Sequence, residues 1–369
     1  MLIVFSTDQI YLHGGIEKVM AEKANYFADV CGYEVVILTC EQRSNLPCYT
    51  LSSKIQFIDL GVNYQRDKSY FSISNLLKLP QHLFKLRKVL NKLQANAVIV
   101  SNFGFDYYAI PFFNKSSKKI KEFHSSRYFE VQVRERNNSF LKKIYFKFND
   151  WIESKYNHLV VLNQDEASFY KSTNVIVIPN PISIPNEVAS LEKKQVIAAG
   201  RIAPVKGFDQ LIEAWKIVYE KEPEWQLHFY GDDYIGTQKK LEELLKKNNL
   251  EKSIQFKGSS SDMVTTFSDY SLYAMSSVTE CFPMVLLESL SVGLPIVSFN
   301  CPTGPRNILT DEVDGLLAIN QNVEDLAEKI LFLIENPIER KEFGQQAKKK
   351  SLKFSTAAVM KEWINLVQS

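Results

Sequence analysis

Short apolar runs alternate with amphipathic stretches from one end of the chain to the other. In the first half such runs fall at 2–5, 35–38, 97–100, 159–162 and 175–178. Each is too short for a buried helix and rich in branched aliphatic residues, so each predicts a strand covered on both faces. "IPNPISIP" at 178–185 then places three prolines within eight residues, which predicts a linker. The second half starts the alternation afresh, with runs at 196–199, 226–230, 254–256, 271–274 and 295–298. Helical spacing fills the intervals, as over 208–219 and 238–248. The pattern predicts an α/β protein made of two doubly wound parallel sheets. In such sheets ligands sit beyond the carboxyl ends of the strands, so two facing lobes would form a cleft, and the chemistry belongs in strand-to-helix loops.

Length agrees with that division, because 369 residues suit two domains of about 150 to 200 residues each. Five cysteines without a CxxC pair fit reduced thiols and a cytoplasmic protein. "MLIVFS" lacks the basic start and long apolar core of a signal peptide and reads as a first strand. No stretch approaches the roughly 20 apolar residues of a membrane span, so membrane contact is expected to be peripheral. The net charge of +2 conceals an asymmetry: residues 1–180 hold 23 Lys and Arg against 16 Asp and Glu, the remainder 21 against 26. The first half is the basic one.

Four loops carry candidate chemistry. "HGGIEKV" at 13–19 follows the first strand, and Gly14 and Gly15 there would let a ligand approach a helix start; a plain tight turn is the alternative. "AAGRIAPVKGFDQL" at 198–211 sets Arg201 and Lys206 beside another helix start, where a guanidinium fork and an ammonium suit a pair of phosphates; two solvated surface cations are the alternative. In "SSVTECFPMVLLESLSVGLP", Pro283 fits the first helical position and Gly293 with Pro295 ends the helix. Glu280 then lies at the helix mouth. Glu288 lies inside the helix, on a side expected to be exposed, where a carboxylate can accept hydrogen bonds from neighbouring hydroxyls such as those of a ribose. "CPTGPR" at 301–306 adds a turn that could lie against a sugar or diphosphate.

Taken together these residues resemble family 4 of the retaining glycosyltransferases, which have the GT-B architecture of two facing Rossmann-like domains. The order matches along nearly the whole chain: Gly14-Gly15, "VIPNPI", "GRIAPVKGFDQLIEAW", then Glu280 and Glu288 as the family's E-x7-E motif. The resemblance implies an N-terminal acceptor-binding domain over 1–180, a nucleotide-sugar-binding domain over 181–354 and a last helix over 355–369 that crosses back to the first domain. It implies that Arg201 and Lys206 grip the donor diphosphate, that Glu288 holds the ribose, and that Glu280 meets the transferred sugar. The segment Cys281, Phe282, Pro283, Met284 and Val285, together with Lys257 and Gly258, joins the implied substrate-binding set, and Gly14 and Gly15 approach the diphosphate from the other lobe. His124 in "EFHSS" stands where the family often has a histidine beside the sugar, an ordinary structural histidine being the alternative. Cys281 departs from the family, where many members have glycine.

The implied reaction moves a hexosyl or N-acetylhexosaminyl group from a nucleotide sugar, UDP-linked by the family's habits, to a glycan or lipid-linked acceptor in surface polysaccharide assembly. GDP-mannose is the alternative donor. A non-catalytic nucleotide-sugar-binding subunit and a glycosidase are the rival classes. A glycosidase needs two carboxylates flanking one bond and has no use for a phosphate clamp. Charge building on the leaving diphosphate would be met by Arg201, Lys206 and a helix start, so no metal or other cofactor is expected, and "GDD" at 231–233 reads as a strand-end turn.

Residues 68–105 contain six cations and no acid, interleaved with Phe71, Leu76, Leu77, Leu83, Phe84 and Leu86, and "FLKKIYFKF" at 140–148 has the same character. Such stretches suit contact with an anionic membrane; a solvated helix with its apolar face turned inward is the other reading. Nucleic acid is not an expected partner.

Overall fold

The computed structural model describes residues 1–136, 139–260 and 262–369. The chain divides into two units, Met1–Pro181 with Val359–Ser369, and Ile182–Ala358.

The first unit holds a seven-stranded sheet: β1 (Leu2–Thr7), β2 (Glu34–Thr39), β3 (Gln56–Asp59), β4 (Ala97–Val100), β5 (Lys118–Glu122), β6 (His158–Val161) and β7 (Val175–Val177). Their order across the sheet is β3-β2-β1-β4-β5-β6-β7, and all pairs are parallel, Val4 facing Val36 on one side and Val98 on the other. Helices cover both faces, so the central strands are apolar throughout. Phe5, Phe27, Ile99 and Ile120 pack on one face with Trp363, which comes from the last helix, Thr356–Gln368. Val4, Leu38, Leu86 and Leu159 pack on the other.

The second unit holds a six-stranded parallel sheet: β8 (Gln195–Ala199), β9 (Gln226–Tyr230), β10 (Ile254–Phe256), β11 (Leu272–Met275), β12 (Ile296–Phe299) and β13 (Leu316–Ala318), in the order β10-β9-β8-β11-β12-β13. Trp215 from helix Phe208–Lys221 and Phe229 from β9 anchor its core, both fully buried. In each sheet the strand order reverses once, between β1 and β4 and between β8 and β11. A reversal sends successive helices to opposite faces and leaves a crevice beyond the strand ends.

Three strands lie outside the sequence expectation. β5 reads KKIKE, too charged to be taken for a central strand, yet Lys121 and Glu122 are buried. β3 (QFID) and β13 (LLA) are too short and too mixed to stand out. All five cysteines are free thiols. No helix among the described residues is long and apolar enough to cross a membrane.

Candidate functional site

Three neighbouring strands of the second sheet run out into glycines: β8 and β9 end one residue before Gly200 and Gly231, and β10 ends two residues before Gly258. The Gly200 N–H donates to the Tyr230 carbonyl at 2.9 Å and the Gly231 N–H to the Gly258 carbonyl at 2.8 Å, so the three turns lie side by side. Beyond β8 the chain makes the turn that carries Arg201 and Lys206 and enters the helix at Gly207. That glycine has φ of +59°, and a Cβ there would collide with the Ser276 carbonyl at the end of β11. Only glycine lets the β8 loop close on the β11 loop, which the Val278 N–H then ties to the Val205 carbonyl at 2.9 Å. The two loops flank the reversal in strand order.

On this frame Lys206 Nζ donates to Glu280 Oε1 at 2.6 Å, with the two side chains 17% and 14% exposed. Ser277 Oγ donates to the same oxygen at 2.7 Å. The Lys206 stem lies over the strand end, since a Cβ on Gly200 would come within 3.0 Å of Lys206 Cε. From the β12 side, the Thr303 hydroxyl donates to the Glu280 carbonyl at 2.5 Å. Thr303 is buried with φ of +67°, a conformation that costs a β-branched residue of order 1–3 kcal/mol and is held by the contacts around it. Gly304 follows because a Cβ there would meet Glu280 Cβ at 2.6 Å. Glu280 is thus fixed by three loops while its carboxylate stays partly open to solvent.

Helix Met284–Ser291 starts after Pro283, which sits just before the first helical residue and supplies no side-chain cap. Leu286, Leu287 and Leu290 are fully buried, as their spacing predicts. Glu288 is buried too, at 5% exposure, which corrects the expectation of a solvent-facing side. The helix is packed by helices Met263–Ser268 and Pro337–Ser351, and only Met284 and Val285 at its start are half-buried. Burial, followed by the Glu280 and Glu288 carboxylates, pushes the Tyr273 phenol far above its ordinary value. Cys301 is likewise pushed up to about 12, by burial and then by Glu280, against an opposing pull from Lys206. Cys281 is buried and is not among the described residues with positive φ, so its backbone does not demand glycine.

Arg201, Lys206, Lys257, Gly258, Glu280, Cys281, Phe282, Pro283, Met284, Val285 and Glu288 therefore all belong to the second unit, around or near its carboxyl sheet edge. Arg201 and Lys257 are exposed, and Lys257 Nζ reaches Gln255 at 2.8 Å. Sequence reasoning missed Ser277 and Thr303; a serine three residues before Glu280 is a weak signal, and a left-handed threonine gives none.

Gly14, Gly15 and His124 belong to the first unit. Gly14 precedes helix Gly15–Asp29, and a Cβ there would run into the Glu17 carboxylate, itself bonded by Gln9 at 2.6 Å. His124 follows β5, its side chain 6% exposed and its Nε2 3.3 Å from Glu122 Oε2. Glu122 is also paired with Lys23, whose ammonium lies 4.2 Å from the Trp363 ring centre. Burial alone would raise the Glu122 pKa, but Lys23 and His124 hold it well below the usual carboxylate range. Among the described residues no cluster of His, Cys, Asp and Glu could hold a metal ion.

Residues 181–350 match the family model described as glycosyl transferases group 1. An uncharacterized glycosyltransferase of Haemophilus influenzae is 27% identical over 364 residues, 95% of each chain. The poly(ribitol-phosphate) alpha-N-acetylglucosaminyltransferase of Staphylococcus aureus is 28% identical over 222 residues, which are 58% of this chain and 45% of that one. Among solved structures, a point mutant of S. aureus TarM in complex with Fondaparinux, alpha-GlcNAc-glycerol and UDP superposes over 100% of both chains, with a TM-score of 0.79 and 18% identity. The fold is GT-B, and the chain is a glycosyltransferase.

Proposed function

We propose that this glycosyltransferase belongs to the retaining family 4 and moves a hexosyl or N-acetylhexosaminyl group from a UDP-sugar to a glycan or lipid-linked acceptor of the cell surface. The observation that carries the reading is the half-open Lys206–Glu280 pair beside the strand-order reversal of the second sheet. Without substrate, each group neutralises the other. A donor diphosphate arriving at Arg201 competes for the Lys206 ammonium, and Glu280, released, accepts hydrogen bonds from the sugar hydroxyls. Glu288, buried one helix turn further in, takes the ribose. The uncapped start of helix Met284–Ser291 presents its first N–H groups to the phosphates.

Negative charge builds on the diphosphate as the glycosidic bond breaks, and Arg201 with Lys206 meets that charge in place of a divalent ion. Ser277 keeps its hold on Glu280 throughout, so the carboxylate does not collapse onto the reacting carbon. Retention follows in this reading if the acceptor attacks from the face that the diphosphate leaves. The relatives support the donor and the setting: one is named for N-acetylglucosamine transfer to poly(ribitol phosphate), and a pneumococcal transferase of TM-score 0.75 carries UDP and GlcNAc. Work at the cytoplasmic membrane surface follows from a lipid-linked acceptor.

A thermal-shift panel of UDP-glucose, UDP-N-acetylglucosamine, UDP-galactose and GDP-mannose tests the proposal. One UDP-sugar raises Tm beyond the shift given by UDP alone, with EDTA present. A larger shift from GDP-mannose, or none from any donor, overturns the UDP assignment.

A further inference from the structure

The first unit contains a groove with almost nothing polar in its wall. Its cavity is about 530 Å³, within the range of small-molecule sites, and Leu83, Phe105, Ala109, Phe112 and Phe148 supply much of the lining. Helix Leu79–Leu93 and helix Phe140–Glu153, from the two basic stretches singled out in the sequence, supply part of the wall, and the segment 105–113 supplies most of the rest. Of the apolar residues there, Leu86 turns inward and is fully buried, whereas Leu77, Phe84, Phe140 and Leu141 are each 70% exposed or more. A solvated helix packing its apolar face inward accounts for Leu86 and not for the other four. Exposure on this scale marks an interaction surface.

Charge selects the occupant. Lys142, Lys143 and Lys147 stand among the exposed apolar residues and pair with no acidic side chain among the described residues. The acids on the same helix are already matched, Asp150 to Arg134 at 2.7 Å and Glu153 to Arg127. Next to the groove, and sharing Phe71, Tyr108 and Tyr145 with it, lies a second cavity of about 590 Å³ that is mixed in character. Of its lining acids, Glu130 is paired with Arg134 at 2.6 Å and Glu153 with Arg127, while Asp8 accepts hydrogen bonds from the neutral Asn102 and Tyr70 and burial pushes its pKa up. Arg66 is held by Glu41 at 2.6 Å. Lys68 is left as the lining cation without an acidic partner among the described residues. An apolar slot thus runs into a polar chamber in which Lys68 offers an ammonium with no acidic partner among the described residues.

We propose that the groove takes the hydrocarbon chain of a membrane lipid with an anionic head, and that the neighbouring chamber takes the head itself, with Lys68 against its phosphate. The exposed lysines and aromatic rings around the groove rest on an anionic bilayer and let one chain pass from it into the slot. The inference rests on the reading of this protein as a transferase with a lipid-linked acceptor, and it adds where the lipid is held.

The test is binding of dodecyl phosphate, used as monomer, with UDP binding measured separately on the same samples. Phe148 and Phe112 are nearly half exposed, so Phe148→Glu and Phe112→Ser change the groove with little demand on the fold. Dodecyl phosphate binds the native chain, each variant weakens it by at least about tenfold, and UDP binding is unchanged. Lys68→Gln weakens dodecyl phosphate while leaving dodecanol as it was, and vesicles of phosphatidylglycerol, but not of phosphatidylcholine, retain the protein at low salt. Equal binding by native chain and variants overturns the inference. So does a concentration-dependent dimer that Phe148→Glu abolishes, since the groove then belongs to a second copy. Lipid binding without UDP binding would sink the transferase reading and leave the groove standing; UDP-sugar transfer to a soluble glycan without lipid binding would do the reverse.

Discussion

Each unit of the molecule contains a lysine bonded to a glutamate beside the strands of its sheet, and the two pairs differ in almost everything else. Lys23 and Glu122 are sealed, at 0% and 2% exposure, with Trp363 against the ammonium and His124 against the carboxylate. Lys206 and Glu280 remain 17% and 14% exposed, held by loops rather than by the core. A sealed pair has already lost its water and depends wholly on its partner. A half-open pair keeps the option of exchanging its partner for a ligand. The first is therefore read as part of the fold and the second as part of the chemistry.

The largest effect expected from this contrast is on the sealed pair. Lys23→Ala leaves Glu122 charged and buried, and is predicted to lower stability by about 3–5 kcal/mol, seen as an early midpoint in urea unfolding. A loss below about 1 kcal/mol would mean that the pair is wet and the contrast false.

Lys206→Ala is predicted to act the other way round. Transfer falls by about 10²–10³-fold while stability changes by about 1 kcal/mol or less, because water reaches Glu280. Steady-state rates with the donor identified by thermal shift, set beside the urea midpoint, separate the two. Loss of fold in step with loss of rate would move Lys206 into the structural class.

A smaller effect concerns acid. His228 in β9 is buried against the Tyr270 hydroxyl, and burial followed by the Lys257 charge lowers its pKa to about 4. The unfolded chain then binds a proton that the folded chain refuses, so the stability His228 confers is complete above about pH 6.5 and is lost as pH falls towards 4. Glu122 is depressed in the first unit, so its contribution is lost only as pH falls below about 4.3. His228→Gln is predicted to flatten the stability profile between pH 6.5 and 4 and leave the more acid limb; an unchanged slope in that window would show that His228 is already charged in the fold.

The same two regions show what the sequence makes legible. The edge of the second sheet could be read because "AAGRIAPVKG" and "TECFPMVLLES" set glycines, cations and carboxylates at short range next to strands, and the structure brings Lys206 and Glu280 from these two loops together. The buried environment of Glu288 could not be read, because it depends on helix Pro337–Ser351, some fifty residues further on. Thr303 was hidden for another reason: its role comes from a left-handed backbone that its side chain disfavours. In the first unit, β5 defeats periodicity because its charges are satisfied inside. Lys121 Nζ donates to the carbonyls of Asn102 at 2.7 Å and Glu122 at 2.9 Å, so a strand reading KKIKE sits between β4 and β6. The apolar groove was half visible, as lysines and aromatic residues interleaved without acids, but which of those residues turn outward is decided by packing.

In the proposed reaction Lys206 is held by Glu280 only until a diphosphate replaces the carboxylate. Calorimetric titration of UDP into the native chain and into Glu280→Gln, with transfer rates on both, tests this most directly. Removal of the carboxylate charge frees the ammonium, so UDP is predicted to bind the variant at least as tightly as the native chain, while transfer falls by about 10²-fold or more. Weaker UDP binding by the variant, or transfer at the native rate, would contradict the account.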